Sequence, residues 1–324
     1  MTIEQINKQG QLRHLITLST LDRSYIEMIV DRAEQYLTPV GQPPPTDSIL
    51  KGITVANLFF EASTRTRASF ELAAKRLSAD VLNLDVNMSS RAKGESIIDT
   101  IYTLQAMQID MFIVRDASTG VPTELARHVL PHVAILNAGE SEVSHPTQGL
   151  LDLMTIRQRF DDLENVKVAI IGDVKHSRVA RSAYEALSKF GVRDIRLTGP
   201  EELLPEDGFE ETRCYTELSD GIRDADVVMA LRIQRERFTE MVAIPDSGEY
   251  FKRYGLTEER MKGASPNAIV MHPGPMNRGV EIDGSLAEGP QSVVEQQVTN
   301  GMAVRMAVLA LAHDHVRASR GSAP

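Results

Sequence analysis

The sequence predicts an α/β protein of two domains, each a parallel β-sheet flanked by helices, with the active site in the cleft between the domains. Three observations predict it. The chain has 324 residues, more than the roughly 250–300 at which a single hydrophobic core stops growing. Short apolar, β-rich runs alternate with helix-like stretches, the rhythm of βαβ units, whose parallel strands are covered on both faces and so read as continuous apolar runs. Several of those runs hand over directly to loops rich in Arg, His, Ser and Thr, and open parallel sheets bind ligands beyond the carboxyl ends of their strands.

The elements follow in order. Ile26, Ile29, Val30, Ala33 and Leu37 recur at helical spacing after a cap at Thr20 or Asp22,. Residues 41–45, with three consecutive prolines, end that helix,. Strands are expected at 54–60, 81–86, 111–114 and 133–136, and a second series at 166–171, 195–198, 227–231 and 268–271. Between the series, Leu150, Leu153 and Met154 mark a helix over 149–160. No flexible linker composition occurs there, so the junction is expected to be a stiff hinge. The last segment, 292–316, is apolar on most sides, which predicts a buried helix, with a bend at Gly301,. The expected domains are 1–148 and 149–291, with 292–324 packing back on the first.

Composition narrows the function. Apolar residues make up 42% and charged residues 25%, so the chain reads as globular, and the net charge of −10 with no Lys/Arg block argues against nucleic acid,. Arginines concentrated in a few motifs of an acidic body instead suggest small anions held at defined points. The single Cys214 cannot form an intrachain disulfide or a cysteine metal site, which fits a reducing cytoplasm,. Residues 1–21 mix charges among apolar residues, giving neither a signal core nor a membrane span,. No metal and no cofactor is expected.

Several short motifs carry the chemistry. The run 54–60 leads into Glu61-Ala62-Ser63-Thr64-Arg65-Thr66-Arg67, and Phe70, Ala73, Ala74 and Leu77 then recur at helical spacing. Ser63 is therefore placed as the N-cap, and the orphan amides of the first turn, two Thr hydroxyls and two guanidinium groups can surround an anion. The plainer alternative is a capping Ser with solvated arginines. Arg115 ends the run 111–114 on the same rim, as an oxyanion donor or as half of a surface ion pair. His145-Pro146-Thr147-Gln148 opens the junction helix with proline in its first turn,. One helical turn separates His145 from Gln148, so both can address one ligand, although a lone His is also often structural.

In the second series, Gly172-Asp173-Val174-Lys175-His176-Ser177-Arg178 follows a strand where a dinucleotide loop would sit. It lacks the GxGxxG fingerprint, which leaves NAD binding the weaker reading. Arg232-Ile233-Gln234-Arg235-Glu236-Arg237 follows the next run, either as a solvated charge cluster or as forks for a carboxylate,. His272-Pro273-Gly274-Pro275 begins an irregular turn whose carbonyls lack sheet partners,. The loop 89–95, with Ser89 and Lys93, reads by itself as solvated.

Taken together, Ser63 to Arg67, Arg115, the His-Pro-Thr-Gln run and the later arginines resemble the aspartate and ornithine carbamoyltransferases over nearly the whole chain. The resemblance implies a carbamoyl phosphate domain followed by an amino-acid domain. It implies that Ser63, Thr64, Arg65 and Thr66 bind phosphate, and that Thr66, Arg115 and His145 polarise the carbonyl. Gln148 and the backbone of Gly274 and Pro275 would hold the carbamoyl amino group; many relatives have leucine in place of Gly274, which a backbone contact tolerates. Arg178 would take one carboxylate of L-aspartate, and Arg232 with Gln234 the other. Glu61 and Arg237 would pair in the closed state, with 240–254 as a mobile loop. Ser89 and Lys93 would reach into a neighbouring subunit's site, implying a homotrimer with shared active sites; relatives often have a second lysine where Ala92 stands.

The turn lacks the HCLP cysteine, and the chain lacks the SMG signature, that ornithine enzymes usually carry. Aspartate is thus the expected substrate, with an ornithine or other amino-acid carbamoyltransferase, or an inactive scaffold, as alternatives. The His-Pro-Gly-Pro turn and residues 1–11 resemble bacterial forms that assemble with a dihydroorotase-type chain, and regulatory chains are the other possible partner.

Overall fold

The computed structural model describes residues 3–39, 41–84, 96–238 and 246–320. The chain divides into two compact units, Met1–Leu151 with Thr299–Pro324, and Asp152–Val298.

In the first unit, helix α1 (Arg23–Glu34) buries Ile26, Ile29, Val30 and Ala33, the face its spacing predicts. Strand β1 (Thr54–Phe59), helix α2 (Thr64–Arg76), β2 (Asp80–Leu84), α3 (Ile97–Ala106), β3 (Met111–Asp116), α4 (Val121–His128) and β4 (Ala134–Glu140) then build a parallel sheet of order β2-β1-β3-β4. Strands β1, β3 and β4 are almost wholly buried, as continuous apolar runs require, whereas β2, at one edge, is partly exposed,. Phe112 lies in the core with Leu58, Val114 and Ile135; its burial alone contributes about 2–3 kcal/mol. Strands β3 and β4 run further than expected, so Arg115 lies inside the end of β3 rather than after it.

Helix α5 (Pro146–Arg157) starts with proline, whose missing N–H costs nothing in a first turn,. It buries Leu150, Leu151, Leu153, Met154 and Ile156 and runs unbroken through the division at Leu151 and Asp152.

In the second unit, β5 (Lys167–Ile171), α6 (Arg178–Lys189), β6 (Asp194–Thr198), β7 (Arg213–Tyr215), β8 (Val227–Ala230), α7 (Ser247–Tyr254) and β9 (Ile269–Met271) form a second parallel sheet, of order β7-β6-β5-β8-β9. Strand β7 is not foreseen by the sequence, because three residues at a sheet edge are too few to show a period. Gly172, just past β5, has φ +121°, and a Cβ there would sit 2.5 Å from the Leu231 carbonyl oxygen. Only glycine lets the two strand ends approach so closely.

Two expectations are corrected. The stretch 240–254 is not a loop throughout: Asp246 caps α7 by accepting from the amides of Gly248 and Glu249, and Tyr250 and Tyr254 are buried in the core of the unit. Residues 240–245 lie outside the described residues. The final helix α8 (Val294–Arg320) passes through Gly301 without a break. Gly301 serves close packing instead, since a Cβ there would meet Arg305 Nη1 at 2.6 Å and Leu151 at 3.1 Å. Within the first unit, Arg305 lies 5.3 Å over the Phe70 ring, and His315 bridges Asn7 and the Pro131 carbonyl. Among the described residues no helix is long and apolar enough to cross a membrane.

Candidate active site

The first unit gathers its donors at the carboxyl ends of three adjacent strands. Ser63 follows β1 and holds the N-cap position of α2 with extended backbone, φ −158° and ψ 96°, but its side chain makes no capping bond. Ser63 thus stands at the expected N-cap position without the side-chain capping bond of the plainer alternative. The first turn of α2 thus presents amides and the hydroxyls of Ser63, Thr64 and Thr66 at the positive end of the helix dipole, where an anion is favoured. Thr66 is buried, while Thr64 and Arg65 are exposed.

Arg115 is the register partner of Phe59, four residues before Ser63. Its side chain is only 10% exposed and its Nη2 donates to Glu61 Oε1 at 2.7 Å. Nη1 donates to the Ala138 carbonyl at 3.2 Å, which ties the guanidinium to β4. Glu61, expected to pair with Arg237, is paired here with Arg115. Beyond β4, the Glu140 amide and Ser144 carbonyl close a short turn. His145, Thr147 and Gln148 follow it, all buried. The amides of Gln148 and Gly149 donate to the His145 carbonyl, so both side chains leave the first turn of α5.

In the second unit, the ends of β5, β8 and β9, adjacent in the sheet, carry the remaining candidates. Ser177 caps α6 by accepting from the Ala180 amide, and Arg178 is buried as the first residue of that helix. Asp173, fully buried, accepts from the Gln234 amide at 3.0 Å and meets His176 Nδ1 at 2.8 Å. Gln234 Nε2 and Arg237 Nη1 both donate to the His176 carbonyl, at 2.8 and 2.9 Å. The β5 and β8 loops are therefore one hydrogen-bonded body, and Gln234 and Arg237 are engaged in it.

Arg232 forms a bidentate pair with Glu236. The pair raises the guanidinium pKa and lowers that of the carboxyl, chiefly through this hydrogen bonding. Gly274 has φ +67° and joins Pro275 by a cis peptide. Among the described residues no backbone amide donates to the carbonyls of Gly274 or Pro275.

Ser89 and Lys93 lie outside the described residues. Among the described residues no group of three or more His, Cys, Asp or Glu is placed to hold a metal ion. Sequence reasoning missed two groups that shape the site. Glu236 was signalled by its spacing four residues from Arg232 within a charge cluster. Asp173 carried no such signal, since its partner Gln234 lies in the loop after another strand.

Comparison with known proteins bears on this arrangement. Residues 13–158 match the family description "Aspartate/ornithine carbamoyltransferase, carbamoyl-P binding domain", and residues 164–312 match "Aspartate/ornithine carbamoyltransferase, Asp/Orn binding domain". Among solved structures, the chain is similar to aspartate transcarbamoylase from Trypanosoma cruzi in complex with carbamoyl aspartate and phosphate, at 29% identity and a TM-score of 0.82 over 92% of this chain and 95% of that one. The same enzyme with carbamoyl phosphate and aspartate gives 29% identity and 0.81, over 92% and 96%. Ornithine carbamoyltransferase from Thermus thermophilus matches at 24% identity and 0.79, over 92% and 98%, a likeness of fold.

Proposed function

Because the chain belongs to the aspartate/ornithine carbamoyltransferase family, we propose that it transfers the carbamoyl group of carbamoyl phosphate to the α-amine of L-aspartate, giving N-carbamoyl-L-aspartate and phosphate. The observation that carries the reading is the helix start after β1, with uncapped Ser63 and the hydroxyls of Thr64 and Thr66, next to the buried guanidinium of Arg115. Such a set suits a doubly charged phosphate linked to a carbonyl whose oxygen gains charge in the reaction.

In this mechanism Ser63, Thr64, Arg65 and Thr66 bind the phosphate. Thr66, Arg115 and His145 donate to the carbonyl oxygen, and Gln148 and the carbonyls of Gly274 and Pro275 accept from the carbamoyl NH2. The deprotonated amine attacks the carbonyl carbon, the new C–N bond forms, and the tetrahedral species places its negative charge among the oxyanion donors. The C–O bond to phosphate then breaks, and the departing phosphate takes the proton from the nitrogen. Each donor aimed at the oxyanion contributes roughly 3 kcal/mol. Acceleration comes from positioning and electrostatics.

Arg178 at the end of β5 and Arg232 with Gln234 at the end of β8 supply cationic and amide donors for two carboxylates,. They would not suit the cationic side chain of ornithine. Carbamoyl phosphate binds first and aspartate second, with domain closure assisted by Glu61 and Arg237. Ser89 and Lys93 complete the site of a neighbouring subunit in a homotrimer, which a dihydroorotase-like or regulatory chain extends. A cytoplasmic setting suits the exposed thiol of Cys214,.

The test is product analysis of the purified protein given carbamoyl phosphate with L-aspartate or L-ornithine. Carbamoyl aspartate formed with aspartate, inhibited by phosphonacetyl aspartate, is the expected result. Carbamoyl ornithine, or no transfer to either amino acid, overturns the assignment.

A further inference from the structure

The turn after β9 is held by a chain of buried polar side chains that the proposed chemistry does not use. His272 and Glu281 are each 2% exposed, Gln297 is 3% exposed and Asp152 is 1% exposed. Burial of four polar residues in contact is costly unless their hydrogen bonds are matched, so the pattern marks a constraint on geometry.

The bonds diverge from His272. Gln297 Nε2 donates to Asp152 Oδ1 at 2.8 Å, and Gln297 Oε1 accepts from the His272 amide at 2.9 Å. The Gly274 amide donates to His272 Nδ1 at 2.8 Å, which leaves that nitrogen as the acceptor. The ring proton then sits on Nε2, 3.1 Å from Glu281 Oε1,. The same carboxylate oxygen accepts from the Asn277 amide. His272 therefore grips the turn at Gly274 while Glu281 grips it at Asn277, and each side chain fixes the other. The far end of the chain is Asp152, on α5 four residues after Gln148 and hence on the same side of that helix,.

We propose that the chain Asp152–Gln297–His272–Glu281 is a positioning device: it sets the conformation of the Gly274–Pro275 turn so that its carbonyls meet the carbamoyl NH2. His272 and Glu281 are positioning residues, since they act through the turn and touch no reacting atom. The proposal rests on the carbamoyl role of Gly274 and Pro275 given above. A turn of two prolines and two glycines can fix its own dihedral angles only in part. A displacement of about 1 Å at a substrate contact can cost up to about a hundredfold in rate.

The test compares Glu281→Ala, Glu281→Gln and His272→Asn with the parent protein. Asparagine keeps an acceptor near the position of Nδ1 but loses the donor to Glu281. Glutamine at 281 keeps an acceptor for both His272 Nε2 and the Asn277 amide. In Glu281→Ala, the carbamoyl phosphate KM is expected to rise about tenfold and kcat to fall at least tenfold. Inhibition by inorganic phosphate, held by the first unit, stays within twofold. Glu281→Gln is expected to recover most of both kinetic losses, and His272→Asn to fall between the two.

Hydrogen exchange read at the amides of Gly274 and Asn277 supplies a readout independent of substrate, and both are expected to exchange faster in Glu281→Ala. Unchanged exchange and kinetics in Glu281→Ala overturn the proposal. So does a loss of phosphate inhibition in parallel with carbamoyl phosphate affinity, which marks general unfolding. If the parent makes no carbamoyl aspartate yet exchange at 274 and 277 responds as stated, the substrate assignment fails while the positioning role holds.

Discussion

Replacing Arg115 by Met separates the two tasks that its guanidinium is assigned. The side chain is 10% exposed and bonded to a Glu61 carboxylate that is 27% exposed. Breaking a fully buried pair from one side costs about 3–5 kcal/mol. Glu61 reaches water, so the carboxylate that loses Arg115 is partly solvated and the expected loss of stability is nearer 1–2 kcal/mol, read by denaturant unfolding. For the reaction, loss of one oxyanion donor worth about 3 kcal/mol lowers kcat by about a hundredfold. That is measured as carbamoyl aspartate formed at saturating carbamoyl phosphate and aspartate. The double variant with Glu61→Gln removes the carboxylate charge, so stability returns towards the parent while turnover stays low. Two results refute the reasoning: a kcat within about threefold of the parent in Arg115→Met, or turnover restored by Glu61→Gln. Either makes Arg115 only a partner of Glu61.

Three further outcomes are expected. Arg178→Lys exchanges a planar fork for a point charge and should raise the aspartate KM at least tenfold, the equivalent of about 1.5 kcal/mol. The carbamoyl phosphate KM should stay within twofold; equal changes in both constants count against an aspartate contact. His14 is buried, its Nδ1 accepts from the Ile135 amide at 3.0 Å, and burial foremost pushes its pKa down to about 3 from 6.5. The unfolded chain therefore binds the proton first, so stability is full above pH ~6.5 and falls as the pH drops towards ~3, by roughly 1.4 kcal/mol per pH unit. His14→Asn, which keeps an acceptor for Ile135, should flatten the unfolding free energy between pH 6.5 and 4, and curves parallel to the parent's contradict the assignment. Gly172→Ala forces a Cβ against the Leu231 carbonyl at positive φ, and should destabilise the protein by about 3 kcal/mol or more; a shift under 1 kcal/mol in chemical denaturation means that the strand ends can separate.

Most of the fold was legible because buried parallel strands are continuous apolar runs. All eight expected strands coincide with observed ones to within a few residues among the described residues, including β3, whose end at Arg115 is polar and so was cut short. Strand β7 was not legible, since Arg213, Cys214 and Tyr215 have no apolar run to show. The bend expected at Gly301 reflects a real ambiguity in what glycine reports. It can mark freedom of φ or closeness of a neighbour, and here it marks Arg305 and Leu151. Helix α7 was hidden because its two core residues, Tyr250 and Tyr254, are set among charged neighbours. The candidate residues were legible as motifs, but their bonds were not. Glu61 with Arg115, Gln234 with Asp173, and His272 with Glu281 join positions 54, 61 and 9 residues apart. The first two pairings depend on strand order and the third on the irregular turn after β9, neither of which a local pattern encodes.

Strand order also explains why so few residues suffice in each unit. A parallel sheet returns every strand in the same sense, so the loops after β1, β3 and β4 leave from one edge, as do those after β5, β8 and β9,. Motifs separated by tens of residues in sequence need only a side chain's length to meet at such an edge. The helix start after β1 and the arginine after β8 differ in how committed they are. After β1 the helix start is left uncapped by Ser63, so donors face outward at little cost beyond solvation,. After β8 the arginine is already engaged, with Glu236. An anionic carboxylate reaching Arg232 must share or displace this acidic partner, which weakens ground-state binding of a lone carboxylate,.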